Sequence, residues 1–578
     1  MVDIADSEQW NAWNPGVRPG IPAEFRTLES IVRTESIFGD ADDIIEVSRL
    51  TGLPLAEVTP FRPRRLALHE LIIRVTADLA VAEGNDQETL GLNFRRMVKT
   101  IWDNHVESRM EVIEQIYTDL RSQVEGAVRK ILADTLFQAE PESPPRRFPF
   151  SLYEWRSRKK STPHKLTAED AEQHCVAGYK AAGLSGSDPL QQAIYQSLYR
   201  VLGALLATRG YIGSDSGFLE KTVADHVCNR YGSQLIGAEI ARLMATAIDQ
   251  EQYIRVRAQP APVMFSLKGT SAAGKSSLRS MLKQFIGDQK IAAEGYATIS
   301  PDIWRKFLLD YDALGAATKY AGYLTSREVA MIDGKLDRYI QEQAERNRAI
   351  PHLVIDRFRF DSFSSKHVPR ILDATYAKYV ETVYMYFVVT PPEETVERGW
   401  RRALDCGRYK AVEDFLGHCV EAYTGMPLIL FRWLAHPRPD YRYVFLDNRV
   451  PKGTFPEVCA HGNRDAMIIH DPRIFINVER YKKINVFATS PDEVYHRPAE
   501  MTVANNMGFL KECIRKIPDV RFIGRTDEAP CLHTIRGKLE RVDAASLATF
   551  AAHEEVAEIM ALVLQELGHS PMPNLPSV

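Results

Sequence analysis

The sequence predicts an α/β protein in which a parallel, helix-flanked sheet follows a large all-helical N-terminal region. Three observations carry that expectation. Between residues 258 and 460, five short apolar runs alternate with segments of helical periodicity, as a parallel sheet requires. The first of these runs leads directly into a glycine-rich loop and then a helix. Upstream, apolar residues recur at helical spacing, interrupted by one basic, proline-containing stretch.

Taken in order, residues 1–138 read as a helical domain. Asp86-Gln-Glu-Thr-Leu90 opens a segment in which Leu90, Phe94, Met97 and Ile101 share a stripe, and Met110 to Phe137 repeats the pattern. Residues 139–165 form a basic linker carrying Arg146, Arg147, Arg156, Arg158, Lys159 and Lys160, either a solvated connector or a strip for a phosphate-rich partner. Helices resume over residues 166–257, where the Ala-rich run from Val201 to Ala207 suits close helix packing. Within 258–460 the expected strands are Val263 to Leu267, Tyr296 to Ser300, His352 to Asp356, Thr382 to Val389 and Tyr441 to Leu446. Residues 461–578 read as an α+β extension, with strands at Ala466 to His470 and Ile474 to Val478 and a closing amphipathic helix from Ala544 to Leu567. His470 beside Asp471 reads there as a structural pair.

Composition excludes several classes. The 578 residues are 45% hydrophobic and 26% charged, the balance of an ordinary globular protein with room for about three or four domains. A net charge of -4 argues against a surface coated for nucleic acid, so such a partner is not favoured. No apolar run is long enough for a membrane span, and the start lacks the blocks of a cleavable secretory signal. Seven scattered cysteines without a C-x-x-C pair fit reduced thiols. The expected location is the cytoplasm, or a host cell reached through a specialised secretion system.

Chemistry concentrates after the strands, where an open parallel sheet places ligands. Gly269, Thr270, Ser271, Ala272, Ala273, Gly274, Lys275 and Ser276 have the G-x-x-x-x-G-K-[ST] form of a phosphate-binding loop. Its glycines let the backbone fold around phosphate, Lys275 brings positive charge, and the Ser276 hydroxyl can ligate magnesium; Ser277 extends the backbone cradle. After the second strand comes Ser300-Pro-Asp302-Ile-Trp-Arg305. This segment serves helix initiation, with Ser300 as cap, or sets Asp302 at the sheet edge to accept a proton from an acceptor hydroxyl, and the two roles are compatible. Asp356, ending an apolar strand, is a candidate magnesium carboxylate or a loop residue, with Arg357, Arg359 and Asp361 weaker candidates beside it. Arg398 and Arg402 share a helix face, and the bend at Gly407 can return Arg408 to the same place, where guanidinium forks suit a transferring phosphoryl group. Thr325-Ser-Arg-Glu328 fits a capping box, which accounts for its threonine and glutamate.

Over about 258–450 these motifs resemble the zeta-toxin family of P-loop kinases: residues 269–276 as Walker A, Asp302 in a Pro-Asp-x-x-Arg setting, the helix from Thr325 to Ile340, the Val-Ile-Asp strand end, and Arg398 and Arg408 as lid arginines. The resemblance implies a P-loop kinase fold, ATP and Mg²⁺ as cofactors, and transfer of the γ-phosphate to a sugar hydroxyl with Asp302 as catalytic base and Arg305 beside the substrate. The implied acceptor is nucleotide-like, UDP-N-acetylglucosamine in the toxins or NAD in a zeta-toxin-like type III effector whose layout is closer to this chain. A toxin or effector role would bring a protein antitoxin or chaperone as partner. Two rival readings are a polynucleotide-end kinase and a nucleotide-regulated interaction protein without kinase activity.

Overall fold

The computed structural model describes residues 10–84, 86–137, 168–292, 294–357, 376–451 and 453–569. The basic linker at 139–165, Arg359 and Asp361 lie outside the described residues, as do the side chains of Ser276 and Ser277. The chain divides into two compact units, one comprising residues 27–71 and 102–246, the other residues 1–26, 72–101 and 247–578. Among the described residues no helix is long and apolar enough to cross a membrane.

The first unit is built from helices. Met110–Thr135 buries Ile113, Tyr117, Leu120, Val124, Val128 and Leu132, the stripe expected of an amphipathic helix against a core. Pro189–Arg209 buries Val201, Leu202 and Leu205 from the Ala-rich run, with Asp188 capping its start by accepting from Gln191 N at 3.0 Å.

The second unit is organised by a mixed sheet. Its strands, in chain order, are β1 (Val263–Gly269), β2 (Tyr296–Ile299), β3 (His352–Asp356), β4 (Thr382–Val389), β5 (Asp440–Asp447), β6 (Glu457–Gly462), β7 (Ala466–Ile469), β8 (Asp519–Phe522), β9 (Leu532–Ile535) and β10 (Lys538–Val542). They lie in the order β10-β9-β8-β7-β6-β5-β4-β1-β3-β2. From β2 to β5 every pairing is parallel, with Phe265 opposite Val354 on one side and Tyr384 on the other. Parallel strands are covered on both faces, which is why β4 is almost wholly apolar and why both β1 and β4 are buried nearly throughout, Ser266 and Lys268 of β1 included. Phe265 stacks on Tyr384 at 5.2 Å, and Leu278, Leu282 and Ile286 of the segment after β1 close over the same sheet face.

Beyond β5 the sheet continues with β6 antiparallel, and the β7–β8 pair is again parallel. The strand expected at Ile474 to Val478 is instead a helix, Arg473–Tyr481. Its five-residue apolar run is too short for periodicity to arbitrate, and packing decides: Ile474, Phe475, Val478 and Tyr481 are buried as a helix, which Asp471 opens by accepting from Arg473 N at 3.0 Å. The single closing helix is likewise two, Ala544–Phe550 and Glu554–Glu566, because His553 caps a new start by accepting from Glu555 N at 3.2 Å.

Two helices after β4 set the geometry of the site described below. Pro392–Cys406 and Val412–Leu434 approach so closely at Gly399 that a Cβ there would lie 2.1 Å from Phe415 Cζ. Phe415 is buried and its ring has little room to move. Gly399→Ala is therefore expected to destabilise the chain by about 1–3 kcal/mol, read as a lowered denaturation midpoint at unchanged slope. An unchanged midpoint would mean that the two helices slide apart freely.

Candidate functional site

The loop after β1 is held in a conformation that side chains resist. Ala272 and Gly274 have φ of 59° and 86°. A Cβ on Gly274 would fall 2.2 Å from Asn448 Nδ2, and one on Gly269 would fall 2.9 Å from the Val388 carbonyl oxygen. The loop is anchored from the ends of β4 and β5. Thr390 Oγ1 and Asn448 Nδ2 both donate to the Ala273 carbonyl, at 3.1 and 2.6 Å. Thr390 is itself fixed by Tyr423, whose hydroxyl accepts from its N–H and donates to its carbonyl. Lys275 folds back over the loop, donating from Nζ to the carbonyls of Gly269 and Thr270 at 3.0 Å each. Burial lowers its pKa, opposed by the carboxylates of Asp356 and Asp302 and assisted by the charges of Arg402 and Arg408. Those four side chains thus act on one ammonium group.

Asp302 stands just past the end of β2, on the short turn Pro301–Trp304. Ser300 occupies the cap position there without a side-chain cap bond, contrary to the capping expectation. Arg305 Nε donates to Asp302 Oδ1 at 2.9 Å, and Arg408 Nη2 lies 2.5 Å from Oδ2. Burial alone would raise the pKa of this carboxyl, but the two guanidinium groups overcome it and hold the value well below the usual range. Arg305 is steadied in turn by the Gly322 carbonyl at 2.8 Å and Thr325 Oγ1 at 2.9 Å. Here the structure corrects the capping box, since Thr325 makes no side-chain cap bond to the helix Ser326–Asn347 and accepts from Arg305 instead.

The arginines come from the helix Pro392–Cys406 and the turn after it, where Gly407 adopts φ 69°. Arg408 reaches Asp302, while Arg398 turns to the loop side. Its Nη2 binds Glu394 Oε2 at 2.6 Å and the Asn448 carbonyl at 2.7 Å, and a Cβ on Gly274 would stand 3.4 Å from its Nη1. Arg402 faces the Asp302–Arg408 pair. Its Nε is buried with no hydrogen-bond partner, and burial followed by the Arg408 charge lowers its pKa to about 10. Residues near the N-terminus brace this turn: Trp13 Nε1 donates to Glu397 at 3.1 Å, and Val17 packs with Ala403 and Tyr409.

Asp356, at the end of β3, lies 3.8 Å from Nη2 of the buried Arg279, whose Nη1 donates to Glu83 at 3.4 Å. Thr298 also donates to Glu83, at 2.7 Å, so a buried polar chain runs beneath the loop. Arg357 turns away from the loop to Asp333 and Asp337. Among the described residues no group of three or more His, Cys, Asp or Glu side chains is placed to hold a metal ion. The Asp356 carboxylate is an oxygen donor of the kind magnesium takes, one or two from protein with water and phosphate completing the shell.

Beside Asp302 opens a cavity of about 450 Å³, lined by Asp302, Arg305, Lys306, Tyr311, Arg402 and Arg408 among others. Its size suits a small molecule, and its wall mixes cations with the carboxylates of Asp86, Glu88, Asp302 and Asp405. Lys275, Asp302, Asp356, Arg402 and Arg408 are brought together, with Arg398 on the loop side. The sequence assigns no role to Asn448, Thr390 or Arg279, and it sets Arg402 beside Arg398 and Arg408 as a guanidinium fork without placing it among the lid arginines. The repeat of arginine at i and i+4 just before Gly407 was the signal that marked Arg402. Comparisons of the chain with family models, with curated proteins and with solved structures each find no match.

Proposed function

We propose that the chain is an ATP-dependent small-molecule kinase of zeta-toxin type, acting as a toxin or effector on a sugar hydroxyl of a nucleotide-like acceptor such as NAD or UDP-N-acetylglucosamine. The observation that carries this reading is the convergence of Lys275 and Asp302, from the ends of β1 and β2, with Arg402 and Arg408 over the same ground. The strand order β2-β3-β1-β4-β5 with the glycine loop after the central strand supports a P-loop kinase fold. The loop suits a polyphosphate, because Gly269 and Gly274 stand where any side chain would collide and, among the described residues, the Lys275 ammonium bonds to the Gly269 and Thr270 carbonyls.

When bound, ATP with magnesium supplies the electrophilic γ-phosphoryl group. Residues 269–277 would cradle the phosphates, and Lys275 would leave its two carbonyls to offset their charge. Asp302 would orient the acceptor hydroxyl and take its proton. While Arg408 and Arg305 hold it, the carboxylate is a weak base, so Arg408 must release it and turn to the phosphoryl group, with Arg402 as second fork. The cavity beside Asp302 would take the acceptor, with Arg305 at its wall. Incubation with ATP, magnesium and a panel of nucleotide sugars and dinucleotides, followed by mass measurement, is expected to show one acceptor gaining a single phosphate. No gain in any acceptor, with ATP bound, would instead favour a nucleotide-regulated interaction protein.

A further inference from the structure

The wall of the cavity beside Asp302 is completed by the helix Gln87–Ile101, which contributes Gln87, Glu88, Gly91 and Arg95. This helix lies ahead of the glycine loop in the chain, outside the stretch that carries the kinase motifs. Its start is fixed to the sheet. Asp86 Oδ1 caps it by accepting from Thr89 N at 2.8 Å, Gln87 Nε2 donates to Ser300 Oγ at 3.4 Å, and the buried Glu83 just before it accepts from Thr298 Oγ1 at 2.7 Å. At Gly91 the helix runs against the turn that carries Asp302, where an added Cβ would stand 3.7 Å from Ile303 Cβ.

Glu88 and Asp302 are each held by two cations, with one difference. At Asp302 the two oxygens are both taken, Oδ1 by Arg305 and Oδ2 by Arg408. At Glu88 both bonds fall on Oε1, from Arg95 Nη2 at 3.0 Å and Lys306 Nζ at 3.1 Å, and among the described residues Oε2 takes none. The Glu88 side chain is 49% exposed on the cavity wall. Arg95 can fold back along its own helix because residue 91 is glycine, where a Cβ would lie 2.9 Å from Arg95 Nη1. Arg305 and Lys306 are consecutive on the short helix Arg305–Leu308, so neighbouring residues tie down one carboxylate each. An ionised carboxylate oxygen can only accept, and the two cations on Oε1 aim Oε2 before any ligand arrives. A phosphate there would meet like charge, whereas a hydroxyl donates.

We infer that Glu88 Oε2 accepts a hydrogen bond from the acceptor hydroxyl next to the one that reacts, so that the cavity selects a vicinal diol such as a ribose and rejects its deoxy counterpart. This rests on the kinase reading of the glycine loop and Asp302. One carboxylate of the wall then takes the proton of the reacting hydroxyl, and the other reads its neighbour. An acceptor that lacks the second hydroxyl fills the cavity while leaving Glu88 Oε2 unpaired, and a polar group stripped of water without a partner is what makes such a site selective. Selectivity for the diol thus comes from a helix outside the kinase motifs.

The test is titration calorimetry of the intact chain, first with the magnesium complex of a non-hydrolysable β,γ-methylene analogue of ATP and then, with that complex bound, with NAD and two NAD analogues lacking the 2′- or the 3′-hydroxyl of the adenosine ribose. Wild type is expected to bind at least one of the two analogues roughly ten- to a hundredfold more weakly than NAD. In Glu88→Ala the affinity for NAD should fall to within about threefold of that analogue, while the analogue itself binds about as it does to wild type. A purely structural role for Glu88 would weaken all three ligands alike. Glu88→Gln, equal in size and keeping one neutral acceptor oxygen, should narrow the preference in the same direction, and it serves should Glu88→Ala lose the magnesium nucleotide. A preference for NAD as large in both variants as in wild type would overturn the inference and leave the phosphate loop standing. So would a nucleotide-loaded wild type that binds NAD and both analogues alike, or binds no NAD. No binding of the magnesium nucleotide by wild type would remove both.

Discussion

Asp302→Asn is expected to bind ATP about as well as wild type and to lower the rate of phosphoryl transfer by roughly 10²- to 10⁴-fold, the usual worth of a positioned general base. The substitution is nearly isosteric, and the backbone and partners around it are held elsewhere. Arg305 keeps the Gly322 carbonyl and Thr325, and Arg408 remains on a turn braced by Tyr409 and Val17. What the amide cannot do is accept the acceptor's proton. In the Asp302–Arg408 pair the wild-type carboxylate is fully charged, so the pH profile of wild type should report the step that separates them rather than an ordinary aspartate titration. Steady-state rates beside an ATP titration check this. Loss of binding and transfer together would indicate damage to the fold, and retained transfer would remove Asp302 from the chemistry.

Lys275→Ala should lower turnover and, unlike Asp302→Asn, ATP affinity as well. Among the described residues, the hydrogen bonds of its Nζ stay within the loop, to the carbonyls of Gly269 and Thr270. The loop is held independently by Thr390 and Asn448 at the Ala273 carbonyl, so the thermal midpoint should move little. Removing the ammonium withdraws a positive charge on which Asp302 and Asp356 both act, and with it the stabilisation of charge developing on the phosphoryl oxygens. A preorganised donor of this kind is worth roughly 10²–10³ in turnover, and the loss in ATP affinity adds to that. Lys275→Arg is expected to fail as well, because a planar fork cannot reproduce a point donor between two carbonyls of a tight loop. Normal turnover in Lys275→Ala would mean that the loop serves architecture alone.

The parts of the fold legible in the sequence are those where local pattern and burial agree. The strands from β1 to β4 are mostly apolar because parallel strands are covered on both faces, and the ends of β1 to β5 could be read to within a residue or two. Position after a strand marked Lys275, Asp302 and Asp356, and all three bear on one place. The far half of the sheet was legible only in β7. The strand β10 carries Lys538, Glu540 and Arg541 on an edge, where exposure erases apolar alternation, and the helix Arg473–Tyr481 depends on neighbours that lie far along the chain.

Long-range contacts likewise hid part of the site. Asn448 reaches the Ala273 carbonyl across 175 residues and Thr390 across 117, pairings that no local spacing announces. The choice between Arg398 and Arg402 was hidden for a different reason. Both share one helix face, and the return of the chain at Gly407 brings Arg408 and Asp302 beside Arg402, one turn further along the helix than Arg398, which stays with Glu394 and Asn448. The capping box at Thr325 shows the converse error, a good local motif whose hydroxyl is taken by a distant arginine.

Phosphorus NMR of ATP and magnesium incubated with the intact chain and an acceptor gives the most direct test of the proposition that Lys275 and Asp302 face one triphosphate. The expected spectrum loses the γ resonance of ATP while a new phosphomonoester signal grows in equal amount, and neither change occurs with Asp302→Asn. A γ resonance that persists with every acceptor, or that converts to inorganic phosphate alone, would contradict it.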